Sequence, residues 1–255
     1  LNKIDIIYYT ISAENEDLIR SMMLVADECG VEFVYVPKFT PVLSGQFHTS
    51  AVGSMPSMTH VLSPLNHLPN RILKRVFDLM VSVPFCLVSP LIFIPIAICI
   101  KATSPGPVFF RQKRTGIYGR EFVCYKFRTM KVNKEADTLQ ATADDPRKTK
   151  FGDFLRRSSI DELPQFFNVL IGNMSIVGPR PALPAEVDQY SDYEKLRLIV
   201  TPGITCTWQI TQNRNDMPFE KWLEMDLDYI EHRTTWQDIK IIVKTPIAML
   251  KATGR

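Results

Sequence analysis

The sequence VFDLMVSVPFCLVSPLIFIPIAICI, at positions 76–100, decides what kind of protein this 255-residue chain can be. This run of 25 largely apolar residues is long enough for one membrane-spanning helix, because about 20 residues cross a hydrocarbon core of ~30 Å. Ser89 and Pro90 interrupt it near its middle, and Pro90 lacks a backbone N–H and clashes with the preceding turn. The sequence therefore predicts a kink near Ser89, with two halves of roughly 20 Å and 15 Å that are each too short to cross alone.

Basic residues flank the apolar run on both sides. They are Arg71, Lys74 and Arg75 before it, and Lys101, Arg111, Lys113 and Arg114 after it. An excess of lysine and arginine marks the cytoplasmic side of a membrane segment, so both ends of the run are expected on the same side. This favours a re-entrant helix hairpin that breaks at Ser89 and Pro90, with Asp78 at the level of the lipid headgroups. A straight span and a buried pair of core helices are the alternatives.

Positive charge is concentrated just after the run. Residues 101–157 contain 14 Lys/Arg against six Asp/Glu, although the formal net charge of the whole chain is only +3. Such a segment beside a membrane anchor suits anionic headgroups or phosphorylated substrates, and a solvated basic face is the simpler alternative. The five cysteines form no Cys-x-x-Cys pair and the four histidines have no zinc-ligand spacing, which favours reduced thiols and ordinary histidines.

The first part of the chain has the pattern of a β-α-β unit. Strands rich in apolar residues are predicted at 3–11 and 31–36, on either side of a helix at 14–29. One such unit, residues 1–45, cannot cover both faces of its strands, so further strands are expected beside it. The turn after the first strand contains no glycine, and no dinucleotide site is predicted. Residues 46–70 are rich in Pro, Ser and Gly and are predicted to be a linker with short ordered pieces.

Beyond the run, short strands and helices alternate as in a small mixed α/β domain. The predicted elements are strands at 108–112 and 121–128 around a turn at Gly116 and Gly119, and helices at 151–157 and 163–171. The polar segment 131–148 is predicted to be a mobile loop. A last helix at 236–251 has an apolar stripe and a lysine stripe, which suits an amphipathic helix at the membrane interface or packing on the protein core.

The sharpest local signal is the adjacent pair Asp161 and Glu162, just ahead of the apolar positions of a predicted helix. Two interpretations are structural: Ser159 with Glu162 fits a capping box, and Asp161 with Pro164 fits an N-cap. The functional interpretation is that one carboxylate stays ionised as a nucleophile while its neighbour helps to bind a divalent cation. Both kinds of role can apply to the same residues.

Cationic residues lie close to this pair in the sequence. Arg156 and Arg157 precede it, the turn Val177-Gly178-Pro179-Arg180-Pro181 presents one arginine after it, and the strand Tyr125-Lys126-Phe127-Arg128 carries two more cations. A planar guanidinium suits phosphate oxygens, and an ordinary surface arginine is the simpler alternative. A carboxylate pair, a basic strand and an arginine turn beside a membrane anchor together predict phosphoryl chemistry on a lipid.

These motifs, in this order, resemble the bacterial sugar transferases, which are monotopic polyprenyl-phosphate phosphoglycosyl transferases. The resemblance extends over about residues 70–255 and also includes Lys74-Arg75-Val76-Phe77-Asp78, Ser104-Pro105-Gly106-Pro107, Asp161-Glu162-Leu163-Pro164-Gln165 and Pro202-Gly203-Ile204-Thr205. It implies an α+β fold with a re-entrant membrane helix at 71–101 and a catalytic domain with amphipathic interfacial helices at 102–255. The upstream β-α-β unit resembles the end of the Rossmann-like domain of longer family members.

The resemblance implies a two-step transfer of a sugar 1-phosphate. Asp161 would attack the β-phosphate of a UDP-sugar, release UMP and carry the phosphosugar until polyprenyl (undecaprenyl) phosphate accepts it. Mg²⁺, held with the help of Asp161 and Glu162, would neutralise charge on the transferring phosphate. The cations expected around the phosphates are Lys126, Arg128, Arg156, Arg180 and Arg214.

The same resemblance implies a place in the cell and a set of partners. The product, a polyprenyl diphosphate sugar, begins exopolysaccharide, O-antigen, capsule or glycoconjugate synthesis at the bacterial inner membrane, with the catalytic domain on the cytosolic face. Membrane lipid is a partner, nucleic acid is not, and a homodimer is left open. Cys206 stands where the family usually has glycine, and Gln212-Asn213 lacks a second one, which alters the loop that carries Arg214. The non-catalytic alternatives are a membrane-bound scaffold and an export-complex subunit that binds anionic lipid.

Overall fold

The computed structural model describes residues 4, 6–9, 16–35, 47–52, 55–60, 63–131, 147–211 and 217–251. They fall into two compact units, Leu1–Val61 and Leu62–Arg255. The apolar run and the predicted catalytic domain both lie in the second unit, and the boundary falls inside the segment predicted as a linker.

The first unit contains the predicted β-α-β arrangement. Strand β1 (Ile6–Tyr9) pairs in parallel with β2 (Glu32–Tyr35), and helix α1 (Glu16–Cys29) lies between them in the chain. The helix ends where Gly30 takes a φ of +66°, the left-handed conformation that commonly closes a helix. Two paired strands do not establish a Rossmann-like sheet, and the turn after β1 lies outside the described residues.

The predicted linker, residues 46–70, contains regular structure. Strands β3 (Phe47–Val52) and β4 (Met55–His60) form an antiparallel hairpin, and a short 3₁₀ turn at Pro64–Asn66 leads into the next helix. The two strand sequences have no clear alternation of apolar and polar residues, so pattern analysis misses this hairpin.

Helix α2 (Leu68–Thr103) carries the whole apolar run as one helix of 36 residues. The run's three prolines all lie inside it, so the predicted separation into two helices at Ser89 and Pro90 is not confirmed. Pro90 deprives the carbonyl of Cys86 of its helical donor, and Ser89 Oγ donates a 2.9 Å hydrogen bond to that same carbonyl. The serine hydroxyl thus replaces the missing N–H. By its length and composition, α2 could cross a membrane.

One face of α2 is buried along its length, and the opposite face is exposed. The buried positions are Lys74, Asp78, Ser82, Ser89, Phe93 and Ile100, and the exposed apolar ones include Met80, Leu87, Leu91, Ile94 and Ile98. The ring centroids of Phe85 and Phe93 lie only 6.4 Å apart, whereas eight residues of straight helix rise about 12 Å. Both rings therefore converge on the same part of the unit, where Phe85 stacks on Phe166.

Both ends of α2 are hydrogen-bonded to the rest of the second unit. Near its start, Asp78 Oδ1 accepts hydrogen bonds from Ser175 Oγ (2.9 Å) and from the next backbone N–H (3.0 Å). Asp78 is 3% exposed, so its carboxylate is enclosed by protein, and its depth relative to the lipid headgroups stays a prediction. Just beyond the other end, the carbonyls of Ser104 and Pro105 each accept a 2.6 Å hydrogen bond from Arg128.

The rest of the second unit consists of two small sheets with helices packed on them. The antiparallel strands β5 (Phe109–Thr115) and β6 (Glu121–Phe127) form the predicted hairpin, and β7 (Ser175–Val177) pairs in parallel with β8 (Gly203–Thr205). The helices are α3 (Lys150–Arg157), α4 (Gln165–Ile171), α5 (Pro184–Val187), α6 (Phe219–His232) and α7 (Thr235–Lys251). The fold is therefore mixed α/β, as expected. Strands β7 and β8 are too short to show periodicity in the sequence, and most of the predicted loop at 131–148 lies outside the described residues.

Two clusters of buried side chains hold the second unit together. The larger one joins β7, α4, α6 and α7 and includes Val169, Ile176, Val177, Leu227, Ile230 and Ile241. The smaller one joins α2 to β6 and α3 through Phe93, Ile100, Phe127 and Leu155. The rings of Phe93 and Phe127 meet edge-on with centroids 4.8 Å apart. This second cluster fixes the strand and the helix that flank the acidic pair against α2.

Candidate active site

The acidic pair lies in a 3₁₀ turn, Ile160–Glu162, between α3 and α4. Ser159 has a left-handed backbone (φ +54°) and its side chain makes no cap hydrogen bond, so the predicted capping box does not form. Pro164, rather than Asp161, is the N-cap of α4, and it makes no side-chain cap bond. Both structural interpretations of the pair are therefore wrong.

Asp161 is buried but has no partner among the described residues. It is 8% exposed, and no described residue forms a hydrogen bond or ion pair with its carboxylate. The pKa of Asp161 is raised to about 6, first by burial and then by the adjacent charge of Glu162. Three nearby cations, Lys126, Arg156 and Arg180, partly offset these effects. A carboxylate that is close to cations but bonded to none is suited to attack an electrophile.

Glu162, by contrast, is paired. Its Oε1 lies 2.7 Å from Lys126 Nζ and 3.7 Å from Arg180 Nη1. Burial alone would raise the pKa of Glu162, but the two cations outweigh it and lower the pKa to about 2. Glu162 is therefore ionised throughout the neutral pH range. Asp161, with its pKa of about 6, titrates just below neutral pH. The two neighbours in sequence differ because only one of them has bonded cationic partners.

The turn that carries Arg180 depends on a close approach of two backbone segments. Gly203 N donates a 2.9 Å hydrogen bond to Pro179 O. A Cβ on Gly203 would lie 2.1 Å from the backbone nitrogen of Gly178, which no side chain could tolerate. The two glycines thus let the turn rest directly on β8, and this places Arg180 beside Glu162.

Lys126 is held in place through α4. Asn168 Nδ2 donates to Val123 O (2.6 Å), and Asn168 Oδ1 accepts from Tyr125 N (3.0 Å). The buried amide of Asn168 thus satisfies backbone groups of β6 and ties this strand to the helix that follows the acidic pair. Lys126 and Glu162 face each other across this junction.

A cleft lies between β6, the acidic pair and the Arg180 turn. It is lined by Arg114, Cys124, Lys126, Glu162, Gln165, Arg180, Pro181, Gly203 and Ile204. Three of these side chains are cationic and one is anionic, which favours an anionic ligand. The cleft therefore suits a phosphate-bearing part of a ligand.

Six residues of the cleft are not among the predicted site residues, and two of them, Arg114 and Gln165, have side chains suited to bind phosphate oxygens. Arg114 counts in the sequence only as a flanking charge, but it donates to Pro181 O (3.0 Å) and to Gln112 Oε1 (2.7 Å) beside the cleft. Gln165 lies four residues after Asp161. Residues four apart share a face of a helix, and this spacing is the sequence signal for a site role of Gln165.

Arg156 lies on α3 and is close enough to Asp161 to lower its pKa. Helix α3 approaches the end of β6 so closely that a Cβ on Gly152 would lie 1.9 Å from Thr129 O. Arg156 Nη1 is buried and has no hydrogen-bond partner among the described residues. It is a donor for which the described part of the protein supplies no acceptor, as expected of a ligand-binding cation.

Another predicted phosphate-binding residue, Arg128, does not line the cleft, and neither Asp161 nor Arg156 is among its lining residues. Arg128 is 7% exposed and uses both terminal nitrogens on backbone carbonyls just beyond α2, which is a structural arrangement. Arg214 lies outside the described residues, as do Gln212 and Asn213. Cys206, which stands where glycine was expected, is 2% exposed, and burial raises the pKa of its thiol.

The acidic pair offers a small donor set for a divalent cation. Within the described ranges, no group of three or more His, Cys, Asp or Glu side chains could hold a metal ion. Mg²⁺, however, is usually held by one or two carboxylates with substrate phosphates completing its shell. The unpartnered carboxylate of Asp161 and Oε2 of Glu162, whose ion pairs use Oε1, fit this requirement.

The second unit thus combines a long apolar helix, a cationic cleft and an acidic pair. Comparison with known proteins identifies the family: residues 69–252 match the bacterial sugar transferases, and the chain belongs to this family. The match includes nearly all of α2 and every later element described above.

Several curated proteins are similar to the chain. One from Klebsiella pneumoniae, named UDP-glucose:undecaprenyl-phosphate glucose-1-phosphate transferase, is 40% identical over 251 residues, which are 95% of this chain and 54% of that protein. A protein of the same name from Escherichia coli (strain K12) is 46% identical over 184 residues, 69% of this chain and 40% of the relative. An undecaprenyl-phosphate galactose phosphotransferase from Salmonella typhimurium is 37% identical over 203 residues, 72% and 42% of the two chains. The chain thus spans about half, or less, of the length of these relatives.

Proposed function

We propose that the chain transfers a sugar 1-phosphate from a UDP-sugar to undecaprenyl phosphate, releasing UMP and forming a polyprenyl diphosphate sugar. The observation that carries the proposal is the division of the acidic pair: Asp161 is buried and unpartnered, whereas Glu162 is paired with Lys126 and Arg180. The printed names of the relatives support this reaction class. These names include both glucose and galactose, so the proposal assigns no particular sugar.

Asp161 is the nucleophile of the first step in this proposal. One carboxylate oxygen attacks the β-phosphorus of the UDP-sugar, a bond forms between Asp161 and that phosphorus, and the bond to the α–β bridging oxygen breaks as UMP leaves. In the second step an oxygen of polyprenyl phosphate attacks the same phosphorus and expels the carboxylate. The lack of a cap or hydrogen bond at Asp161 among the described residues supports this role, because no protein contact has to be broken first.

The cations around the pair bind and orient the phosphates. Arg180 is 37% exposed at its side chain and can reach a phosphate while it stays beside Glu162. Arg156 offers a buried nitrogen that lacks a described partner, and Lys126 is fixed by its ion pair with Glu162. Asp161 and Glu162 are the residues that would hold Mg²⁺, which when bound neutralises charge on the transferring phosphate and the leaving group.

The two-sided character of α2 supports placing its exposed face in one leaflet, and entry and exit by the same membrane face would further require the helix to bend near Ser89 and Pro90. No more than six residues separate successive buried positions, as between Ser82 and Ser89. A helix that crosses a bilayer freely needs about 20 residues surrounded by lipid or by other spanning segments, and α2 is instead covered on one side by the catalytic unit. Its opposite face, with Leu87 and Leu91 at 77% and 76% exposure, is the face we place in lipid.

Helix α7 supports the same placement. Trp236, Val243 and Ile247 are 63%, 61% and 50% exposed on one side, and Lys240 Nζ lies 5.6 Å from the centroid of the Trp236 ring. Ile241, on the other side, is buried in the core. One face of α7 therefore packs on the protein core, and the outer face suits a membrane interface. These are the two roles that the sequence leaves as alternatives. We place the catalytic unit on the cytosolic face of the bacterial inner membrane, following the basic residues of the flanks that stay exposed, which are Arg71, Lys101, Arg111 and Lys113.

Release of UMP tests the reaction. The chain, purified in lipid nanodiscs with undecaprenyl phosphate and Mg²⁺, is incubated with a panel of UDP-sugars, and continuous UMP release is expected with at least one. Without the lipid phosphate, the proposal predicts a burst of at most one UMP per protein. No UMP from any UDP-sugar would reject the reaction and favour a non-catalytic scaffold.

The covalent step has its own test. Asp161→Asn should abolish both the burst and the turnover. Asp153→Asn is the matched control, because Asp153 lies on the neighbouring helix and pairs only with the exposed Arg157 (2.7 Å) among the described residues. Near-normal turnover by Asp161→Asn would reject the phosphosugar–aspartate intermediate.

A further inference from the structure

Gln165 is a buried amide to which the reaction above gives no role. It is the first residue of α4 and is 3% exposed. Its side chain lines the cleft together with Lys126 and Arg180, and no hydrogen bond to it is found within the described part of the chain. Its polar atoms are not among the fully enclosed unpartnered ones, so they face the cleft rather than the protein interior.

Asn168, one turn later on the same helix, shows how a structural amide is used here. It is completely buried, donates to Val123 O (2.6 Å) and accepts from Tyr125 N (3.0 Å). Leaving a buried polar group without a partner costs about 1–3 kcal/mol. Gln165 is almost as buried, but its polar atoms face the cleft and make no bond to the described fold, which indicates that their partner is a ligand.

The surroundings of Gln165 indicate what kind of ligand atom this is. Arg114, Lys126 and Arg180 bring three positive charges to the cleft, against the single negative charge of Glu162. Anionic oxygens are therefore attracted to it. The amide Nε2 of Gln165 has two hydrogens to donate, and phosphoryl oxygens are acceptors only. A third cationic partner at this position would compete with Lys126 for Glu162, whereas a neutral amide donates without disturbing that ion pair.

We propose that Gln165 is a substrate-binding residue whose Nε2 donates a hydrogen bond to a phosphoryl oxygen of the nucleotide sugar. The proposal rests on the function proposed above and adds to it a neutral donor beside the cations. The contact holds the diphosphate in the cleft next to Asp161, four residues earlier in the chain.

Three variants and two measurements test the role of Gln165. Gln165→Met keeps the length of the side chain and removes the amide, so kcat/KM for UMP release and the affinity for UDP by calorimetry should both fall about 10- to 100-fold, as for a lost hydrogen bond to a charged group. Because the Gln165 amide has no described partner, the Tm of the Gln165→Met variant should stay unchanged or rise. Gln165→Glu should be more impaired than Gln165→Met, since it turns a carboxylate towards the phosphates. Asn168→Leu is the structural comparison and should lower Tm.

The possible outcomes separate this inference from the function on which it rests. If the unmodified chain releases UMP and Gln165→Met keeps its kcat/KM and UDP affinity, the inference alone is overturned. A fall in Tm for Gln165→Met as large as that for Asn168→Leu would overturn it in favour of a structural role. Higher activity of Gln165→Glu than of Gln165→Met would assign a sugar hydroxyl as the partner and overturn the phosphate contact. If the unmodified chain neither binds UDP nor releases UMP, the proposed function fails, and the inference fails with it.

Discussion

The Nζ of Lys126 lies 2.7 Å from Oε1 of Glu162, and this contact separates two carboxylates that are adjacent in the sequence. The pKa of Glu162 is lowered to about 2, mainly because Lys126 and Arg180 outweigh the effect of burial. The pKa of Asp161 is raised to about 6 by burial and by the charge of Glu162. At pH 7 both are ionised, but only the ionisation of Asp161 opposes folding. The site thus holds a destabilised carboxylate where the proposed reaction needs a nucleophile.

Replacing Asp161 by Asn should stabilise the protein at neutral pH while it abolishes turnover. The pKa of Asp161 rises from 3.8 to about 6 on folding, so the protonated form is the one that folding favours. Its stabilising effect is complete below pH 3.8 and is lost as the pH rises through about 6. Asn cannot ionise, so the variant should be more stable by about 1–3 kcal/mol at pH 7.5 and by little at pH 4.

Denaturant unfolding in detergent with EDTA, at several pH values between 4 and 8, measures this difference. EDTA is needed because a bound cation would itself lower the pKa of Asp161. Asp153→Asn serves as the control and should show no gain that grows with pH. An Asp161→Asn variant whose advantage is larger at low pH than at pH 7.5 would contradict the assigned direction of the pKa shift.

Lys126→Met should impair turnover and destabilise the unit. It leaves the largely buried carboxylate of Glu162 without its closest cation, and breaking a buried pair in this way costs about 3–5 kcal/mol. Adding Glu162→Gln should recover much of the stability but not the activity. Lys113→Met is the control: Lys113 pairs with Glu121 at the surface, with side chains 77% and 51% exposed, and such pairs contribute about 0–1 kcal/mol. Equal losses of stability for Lys126→Met and Lys113→Met would show that the buried pair has no special role.

Asp238→Asn should destabilise the second unit and loosen the start of α2. The fully buried carboxylate of Asp238 accepts from Lys74 Nζ (3.1 Å), Arg233 Nη2 (2.6 Å) and Tyr229 O–H (2.7 Å). The variant leaves two buried cations without their common anion, so a loss of about 3–5 kcal/mol in the free energy of unfolding is expected. Glu224→Gln, which breaks an exposed ion pair on α6, should change it by less than about 0.5 kcal/mol. A comparable small effect for both variants would exclude Asp238 as the link between α7 and α2.

The sequence predicted part of the site because strand and helix patterns place their residues regularly, and it failed where those patterns end. Lys126, inside β6, lies beside Glu162 as expected. Arg128, two residues later, should share its face by strand alternation, but β6 ends at Phe127. Beyond the strand the backbone no longer alternates, and the Arg128 side chain turns to the carbonyls that follow α2.

The basic flanks show a second limit of sequence analysis. From the sequence alone, Lys74 and Arg75 are expected to mark the cytoplasmic side of a membrane segment. In the structure Lys74 binds Asp238, and Arg75 donates to the carbonyls of Val169 and Leu170 at the end of α4 (2.6 Å and 2.8 Å). Charge patterns do not distinguish these internal partners from lipid headgroups, because the partners are 94 to 164 residues away in the chain.

The one-leaflet placement of α2 predicts that both of its ends are reached from the same side of the membrane. Leu68 is 64% exposed and Thr103 is exposed at the opposite end of the helix. In a variant whose exposed native Cys29 and Cys99 are replaced, single cysteines at positions 68 and 103 should both react with an impermeant thiol reagent from the cytosolic side only. Labelling from opposite sides would show that α2 spans the membrane, and the phosphoryl-transfer proposal could still hold.

Replacing Ser89 and Pro90 should change the membrane topology of α2. With Pro90 retained, Ser89→Ala leaves the Cys86 carbonyl without its donor, so a loss of stability of about 1–3 kcal/mol is expected. Replacing both Ser89 and Pro90 by Ala restores a backbone N–H for that carbonyl and permits a straight helix of about 54 Å, more than enough to cross a bilayer. Some molecules should then span the membrane, with position 68 labelled from outside and UMP release reduced, because the contacts between the start of α2 and the catalytic unit are lost in them.

Pro84→Ala is the control, since no serine hydroxyl compensates for that proline among the described contacts, and it should keep both ends cytosolic. If the double variant keeps both ends cytosolic as well, the packed face of α2, rather than the Ser89–Pro90 pair, determines its topology.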